Sequence, residues 1–220
     1  QVQTNRTLFR TKGIVIASGA DSKKLGVTGE NELSGKGVSY CAECDGYFYK
    51  NGKQVIVVGG GDTAATDALY LHGLGAKVTV VHHRDALRAE KHLQESLAKT
   101  DVTIRWNSAV EAILGDRTVE GVRIRNVQTG EEAMLPAQGV FIAIGYSPNT
   151  DVARMLNLSV NEYGYIVVDS HQRTTLPLVY AAGDVTGGIK QIAVAVGQGT
   201  VAAISAFEDI TSPYWTKKAQ

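Results

Sequence analysis

The chain has 220 residues, with 22 basic and 22 acidic side chains, zero formal net charge and 44% hydrophobic residues. That composition supplies core for one large or two small globular domains. The charge balance argues against nucleic acid or an anionic membrane as the main partner. No apolar run approaches the roughly 18–20 residues that a membrane span needs, and the first residues carry no signal-peptide pattern.

The chain opens QVQTNRTLFRTKGIVIASGA, without an initiator Met, and heads directly into a strand-like run, Gly13 to Ser18. Both cysteines then fall within SYCAECDG, residues 39–46. Beyond them Gln54–Gly59 reads as a buried strand, Asp62–Leu74 as a helix and Lys77–His82 as the next strand. Leu87–Lys99 has helical periodicity, and Val102–Trp106 forms a short third strand. This βαβαβ order predicts a parallel sheet and an α/β fold.

The stretch SAVEAILGDRTVEGVRIRNVQTGEEAMLP changes character. Its short alternating runs, broken by Gly115-Asp116 and Thr129-Gly130, predict a small antiparallel meander. Gly139–Ile144 returns to a buried strand, and Asn149–Leu158 fits either a helix or a linker. Leu178–Ala182 is another strand, ending in AAGDV, and Gln191–Glu208 reads as a long helix rich in small residues.

Gly59-Gly60-Gly61-Asp62-Thr63-Ala64 fits GxGxxA between a strand and a helix. Gly59 permits the tight turn, Gly61 lets a pyrophosphate approach the backbone, and Ala64 keeps the helix close to the sheet. The end of the second strand carries His82-His83-Arg84-Asp85, with Arg88 a helical turn later. Arg84 and Arg88 can converge on a 2′-phosphate, with His82 or His83 adding a donor, which favours NADP(H). Asp85 is the dissenting residue, since a carboxylate there suits NAD.

Cys41 and Cys44 admit several readings. Zinc needs about four ligands, and the chain has no second CxxC. A structural disulfide would close too small a loop to stabilise much, and two buried thiols fit poorly beside Asp45-Gly46. A redox dithiol fits better, because each thiol can resolve the other.

Together, CAECDG, VIVVGGGDTA, HHRDALRAEK, AIGYSPNT and YAAGDV…KQIAVAVGQG, in that order, closely resemble the low-molecular-weight thioredoxin reductases. The resemblance runs from about Gly13 nearly to the end. It implies that NADPH reduces FAD, that FAD reduces the cysteine disulfide, and that the dithiol reduces thioredoxin. On this chain Cys41 and Cys44 would be the redox pair, Cys44 facing the flavin, with Asp45 as the acid–base group. Ala17 and Gly19 in IASGA match the crossing out of the FAD domain, and Gly145, Pro148 and Asn149 match the return. Gly183 and Asp184 match the C-terminal FAD motif, with Asp184 on the ribityl chain and Lys190, Gln191 and Ile192 near the isoalloxazine. Lys190 stands where the family has Arg, keeping the charge without the planar fork.

The implied architecture is a Rossmann-like nicotinamide domain at 24–148, inserted between two parts of an FAD-binding domain, 1–23 and 149–220. A homodimer in the cytoplasm is implied as well. The family's first FAD-binding turn should lie some 90–100 residues upstream of the cysteines, but only forty residues stand there and none forms GxGxxG. That predicts a fragment or cleaved enzyme with weak or absent flavin binding.

Two further departures matter. His83 replaces an Arg, predicting a weaker phosphate contact that tightens as pH falls. Glu43, between the cysteines, would disfavour thiolate and make the couple more reducing, or else point into solvent and shape partner choice. Tyr214 and Trp215 in the tail could stack on a flavin, pack at a dimer interface or simply pack as a tail. Two further readings stand beside the leading one. The first is a related flavin reductase using a non-nicotinamide donor or a peroxiredoxin-type partner, and the second is a non-catalytic NADP(H)-binding module.

Overall fold

A computed structural model describes residues 1–213, so Tyr214 and Trp215 lie outside the described residues. The chain divides into two compact units, one made of residues 1–21 with 146–220 and the other of residues 22–145. The sequence-based boundaries lie two and three residues further along at the two crossings.

The first segment carries β1 (Val2–Gln3), β2 (Leu8–Phe9), β3 (Ile14–Ile16) and β4 (Ala20–Ser22). The contiguous unit then runs through β5 (Val38–Ser39), α1 (Ala42–Asp45), β6 (Gln54–Val58), α2 (Asp62–Gly73), β7 (Lys77–Val81) and α3 (Lys91–Leu97). It continues with β8 (Thr103–Arg105), β9 (Ser108–Leu114), β10 (Gly121–Asn126), β11 (Glu132–Pro136) and β12 (Gly139–Ile142). The return to the first unit supplies β13 (Tyr146–Pro148), α4 (Asp151–Met155), β14 (Val179–Ala181) and α5 (Ile192–Thr211).

In the 22–145 unit the sheet order is β5-β12-β6-β7-β8, and every neighbouring pair is parallel. Its central strands read QVIVV and GVFI and are almost wholly buried, as a sheet covered on both faces requires. The strand period of two sorts their side chains between two cores. Val55 and Val57 face α2 and pack with Ala64, Ala65, Ala68 and Leu71. Ile56 and Val58 face the other way, onto Val110, Ile113, Val122 and Ile124. Those residues belong to the antiparallel meander β11-β10-β9, in which a register shift falls between Arg123 and Ile124.

The other unit is held by a parallel pair, β14 with β3, joining Val179–Ala181 to Ile14–Ile16. Tyr180, Ala182 and Ala202 form a small core beneath α5. Asp209, near the end of α5 and 2% exposed, accepts two hydrogen bonds from Arg173, at 2.8 and 2.9 Å, and a third from the Tyr180 hydroxyl at 2.8 Å. The Arg173 guanidinium, helped by that hydroxyl against the opposing effect of burial, holds the carboxyl below its ordinary value.

Most elements lie where the sequence places them, within a residue or two. The segment Asn149–Leu158, open between helix and linker, holds the one-turn α4. Leu87–Lys99 is a correction: only Lys91–Leu97 is helical, because the backbone N–H groups of Arg88 and Ala89 bond the Gly60 carbonyl oxygen at 2.7 and 3.2 Å.

Asp209→Ala strips the guanidinium of its bidentate partner in a buried setting, so it should destabilise the 1–21/146–220 unit by about 3–5 kcal/mol. Urea unfolding followed at that unit would measure the loss. An unchanged midpoint would show that the ion pair contributes nothing net.

Candidate functional site

The nucleotide-type turn is shaped by what its glycines lack. Gly59 has φ +151°, and a Cβ there would overlap the Ala143 carbonyl oxygen. A Cβ on Gly60 would overlap the His82 ring, whereas Gly61 faces open space. These residues border a cavity of about 510 Å³ with Lys24, Thr63, His82, His83, Arg88, Ser108 and Gly145. Ala64 is buried beneath the turn. Asp62 accepts the Glu90 N–H at 2.7 Å, tying the start of α2 to the start of α3.

His82 is 2% exposed, and its Nε2 bonds the Ala86 carbonyl oxygen at 3.1 Å. A carbonyl only accepts, so Nε2 carries the proton and Nδ1, which has no partner, is an acceptor. Burial first, then His83 and the two arginines, depress its basicity against the favourable Ala86 contact. The geometry therefore makes His82 a neutral floor under Gly60 and spends its one donor on the Ala86 carbonyl oxygen. Arg84 is also exposed but does not line the cavity; its Nε donates to His83 Nε2 at 3.3 Å. Lys24 and Ser108, which sequence reasoning missed, stand far from the turn in sequence and carry no motif.

Cys41 and Cys44 form a disulfide, with Cα atoms 5.3 Å apart, across the start of α1. Cys41 is half-buried and Cys44 exposed, and the Cys44 N–H donates to Cys41 Sγ at 3.2 Å. Gly46 seats α1 on α2, since a Cβ there would lie 2.9 Å from Leu71 Cδ2. Asp45 Oδ2 accepts from the Ser39 hydroxyl at 2.7 Å. Upstream, the buried Glu30 carboxylate accepts from the Tyr40 hydroxyl at 2.7 Å and from the N–H groups of Leu25 and Gly26 at 3.0 and 2.7 Å. Burial would raise its pKa, but these donors together hold it below its ordinary value. Lys24 lies over the Tyr40 ring, 3.9 Å from its centroid.

In the other unit, Ala17, Gly19, Gly183, Asp184, Lys190, Gln191 and Ile192 come together around a cavity of about 340 Å³. Gly183 has φ +77°, a backbone state that suits glycine, and its N–H donates to Gln198 Oε1 at 2.7 Å. The Lys190 ammonium lies over two rings, Tyr146 at 4.7 Å and Tyr165 at 4.9 Å. That pair of cation–π contacts holds the residue that departs from Arg. Neither tyrosine was legible as a partner of Lys190, since each meets it only through the fold.

The two cavities pass a test of fit for different groups. A glycine turn open at Gly61, with Arg88 and His83 beyond it, suits a phosphorylated dinucleotide. The crease at Gly183 and Asp184, with Lys190 held beside it, suits one side of a flavin.

The sequence signature of the pyridine nucleotide-disulphide oxidoreductases matches residues 1–199. The thioredoxin reductase of Listeria monocytogenes serovar 1/2a is 46% identical over 202 residues, covering 90% of this chain and 62% of that protein. The thioredoxin reductase of Streptomyces coelicolor is 42% identical over 206 residues, covering 92% of this chain and 63% of that protein. The crystal structure of the thioredoxin reductase from Streptococcus pyogenes superposes with a TM-score of 0.86 at 41% identity, covering 96% of this chain and 69% of that one. The chain thus spans about 62% of the length of the first of these curated relatives.

One carboxyl in this region is unusual. Asp67 on α2 is pushed up to about 7, first by burial and then by the charge of Glu43. Between the ordinary value of 3.8 and about 7, the folded state keeps a proton that the unfolded chain has released. Stability therefore falls as pH rises through that window and is level above it. Asp67→Asn should raise the melting temperature most at about pH 8, with the gain shrinking to nothing near about pH 4. A gain independent of pH would rule out the titration of Asp67 as its source.

Proposed function

This chain belongs to the pyridine nucleotide-disulphide oxidoreductase family, and from that premise we propose that it forms the larger part of a thioredoxin reductase-type flavoenzyme. The observation that carries the reading is the Cys41–Cys44 disulfide, with Asp45 beside it, in the same 22–145 unit as the glycine turn. In this reading the unit binds NADP(H) through Gly59, Gly61 and Thr63 at the turn and Arg84, Arg88 and His83 at the 2′-phosphate. The outer unit contributes Ala17, Gly19, Gly183, Asp184 and Lys190–Ile192 to an FAD site. A homodimer and a cytoplasmic location belong to the reading through the resemblance.

The electron balance is simple. NADPH gives up a hydride, and its two electrons, with one proton from solvent, break the S–S bond and leave two thiols. A bound flavin would supply the two-electron relay between nicotinamide and disulfide. One thiolate of the pair then attacks the disulfide of thioredoxin to form a mixed disulfide. The other cysteine displaces the partner, which leaves with two electrons and two protons. In this reading Asp45, next to Cys44 in the chain, takes up or returns the thiol proton.

The outer unit leaves a broad apolar face on α5, where Ile192 is 83% exposed, Val196 63% and Phe207 70%. Such a face on a long helix calls for cover, and the part of the relatives that this chain does not span is available to supply it. The expected consequence is a colourless protein as purified. Added FAD should bind weakly or not at all to these 220 residues; flavin absorption at one equivalent per chain after desalting would overturn the expectation.

For the nucleotide, Arg84→Ala and Arg88→Ala should each weaken NADPH binding about tenfold, the worth of one charge-assisted hydrogen bond. NADH binding should stay unchanged. Calorimetric titration of both nucleotides separates the two, and equal losses for each would remove the arginines from the 2′-phosphate.

A further inference from the structure

We propose that Ser39 is a positioning residue for the thiol chemistry, its single hydroxyl joining the backbone of Cys41 to the carboxylate of Asp45. The inference rests on the reading of Cys41 and Cys44 as a redox pair with Asp45 as its acid–base group.

Ser39 is the second residue of β5, the strand that leads into the cysteines, and is 6% exposed. Its Oγ accepts the Cys41 N–H at 3.1 Å. Two acceptors compete for its one proton, the Cys41 carbonyl oxygen at 3.2 Å and Asp45 Oδ2 at 2.7 Å. The shorter contact goes to the charged oxygen, where a hydrogen bond is roughly twice as strong as between neutral groups. The hydroxyl is thus oriented as donor to Asp45 and acceptor from Cys41, which fixes the carboxylate relative to the first turn of the redox helix.

The other charged groups around the site leave this role to Ser39. Glu43 shares α1 with Asp45 and has the same sign. Tyr49 on the next turn feels the Asp45 charge but donates no hydrogen bond to it: burial first, then Asp45, raises its pKa. The Lys53 ammonium donates to the Phe48 carbonyl oxygen at 2.9 Å. Lys50 bonds the Tyr47 hydroxyl at 2.6 Å, and Asp67 on α2 is again acidic. A cavity of about 460 Å³, lined by Ser39, Asp45, Phe48, Tyr49 and Lys53 among others, opens the carboxylate to solvent. A proton taken from a cysteine therefore has a way out through this cavity. Tyr40 and Glu30 hold the intervening residue, so Ser39 and Cys41 enter the turn from a fixed backbone.

The test needs neither flavin nor nicotinamide nor thioredoxin. The disulfide of this chain is reduced, the reductant is removed, and the rate of alkylation by iodoacetamide is followed across pH for the native chain, Ser39→Ala, Ser39→Thr and Asp45→Asn. Loss of the Ser39 donor frees the Asp45 side chain from its place beside the Cys41 backbone. A carboxylate held near the thiols disfavours thiolate, so Ser39→Ala should speed alkylation near neutral pH by about three- to tenfold and displace the pH midpoint in the same direction as Asp45→Asn. Ser39→Thr, which keeps the hydroxyl, should restore the native profile. In the Asp45→Asn background Ser39→Ala should have no further effect, because Ser39 acts through Asp45.

A purely structural serine would lower the melting temperature and leave the pH midpoint in place. That outcome overturns the inference, as does full additivity of the two substitutions. Should Ser39→Ala not fold, Ser39→Gly removes the same hydroxyl without adding bulk, and the same two outcomes decide. A pre-reduced chain that fails to pass its electrons to oxidised thioredoxin but shows the coupled Ser39–Asp45 profile would refute the proposed function and leave this inference standing.

Discussion

The 22–145 unit depends on one close approach of backbone to backbone. At the carboxyl end of β6, Gly59 passes under the Ala143 carbonyl oxygen and Gly60 rests on the ring of His82, and neither position has room for a Cβ. Val58 and Ala143 are thereby held together, through the Ala143 N–H bonded to the Val58 carbonyl oxygen at 2.8 Å. The Gly60 carbonyl in turn accepts from Arg88 and Ala89, which draws the segment after β7 across the turn. Three strand ends, β12, β6 and β7, therefore converge at one point. The large cavity of the unit opens there, at the carboxyl ends of parallel strands where such sheets bind ligands.

The cysteine segment reaches the same unit by a second set of close approaches. Gly46 brings α1 against Leu71 and Tyr70 of α2, and Gly139 leaves room for the Tyr49 ring. That ring meets Phe141 edge to face, with centroids 5.2 Å apart. The cysteines are thus carried by the layer that packs on α2, whose first turn borders the nucleotide-type cavity. One short helix, four residues long, is fixed from behind by the core and from the side by Ser39. Support on both sides holds Asp45 in register with the cysteine pair.

What the sequence disclosed follows from the range of the forces involved. Gly59, Gly61, Cys41, Cys44 and Asp45 answer to local geometry, so their spacing carries their meaning. The alternation in QVIVV and GVFI likewise encodes burial on two faces, and the sheet follows. The late start of α3 was illegible because its periodicity extends upstream, and only the tertiary bonds to Gly60 undo that turn. The run HHRD leaves open whether His82 or His83 adds a donor, and only the fold shows that the His82 donor is spent on Ala86 and its ring buried. Lys190 looked like a loss relative to Arg until Tyr146 and Tyr165, far apart in sequence, were seen to flank it. Ser39 resembles any small residue at a strand end until its hydroxyl is placed 2.7 Å from Asp45.

The outer unit faces a different physical problem, because β3 and β14 pair across the whole of the inserted unit. Closing so long a loop carries an entropic cost that grows with its length. The contiguous unit removes most of it, for its own two ends are clasped: the Lys23 N–H donates to the Gly145 carbonyl oxygen at 2.9 Å. The chain leaving at Asp21 and the chain returning at Tyr146 therefore start side by side, and β4 and β13 pair at that point. From there the effective loop that separates β3 from β14 no longer includes the inserted unit. The glycine at 145, with φ +102°, makes the return possible without strain. The same clasp that completes the nucleotide-type unit thus sets the register from which the second unit is built.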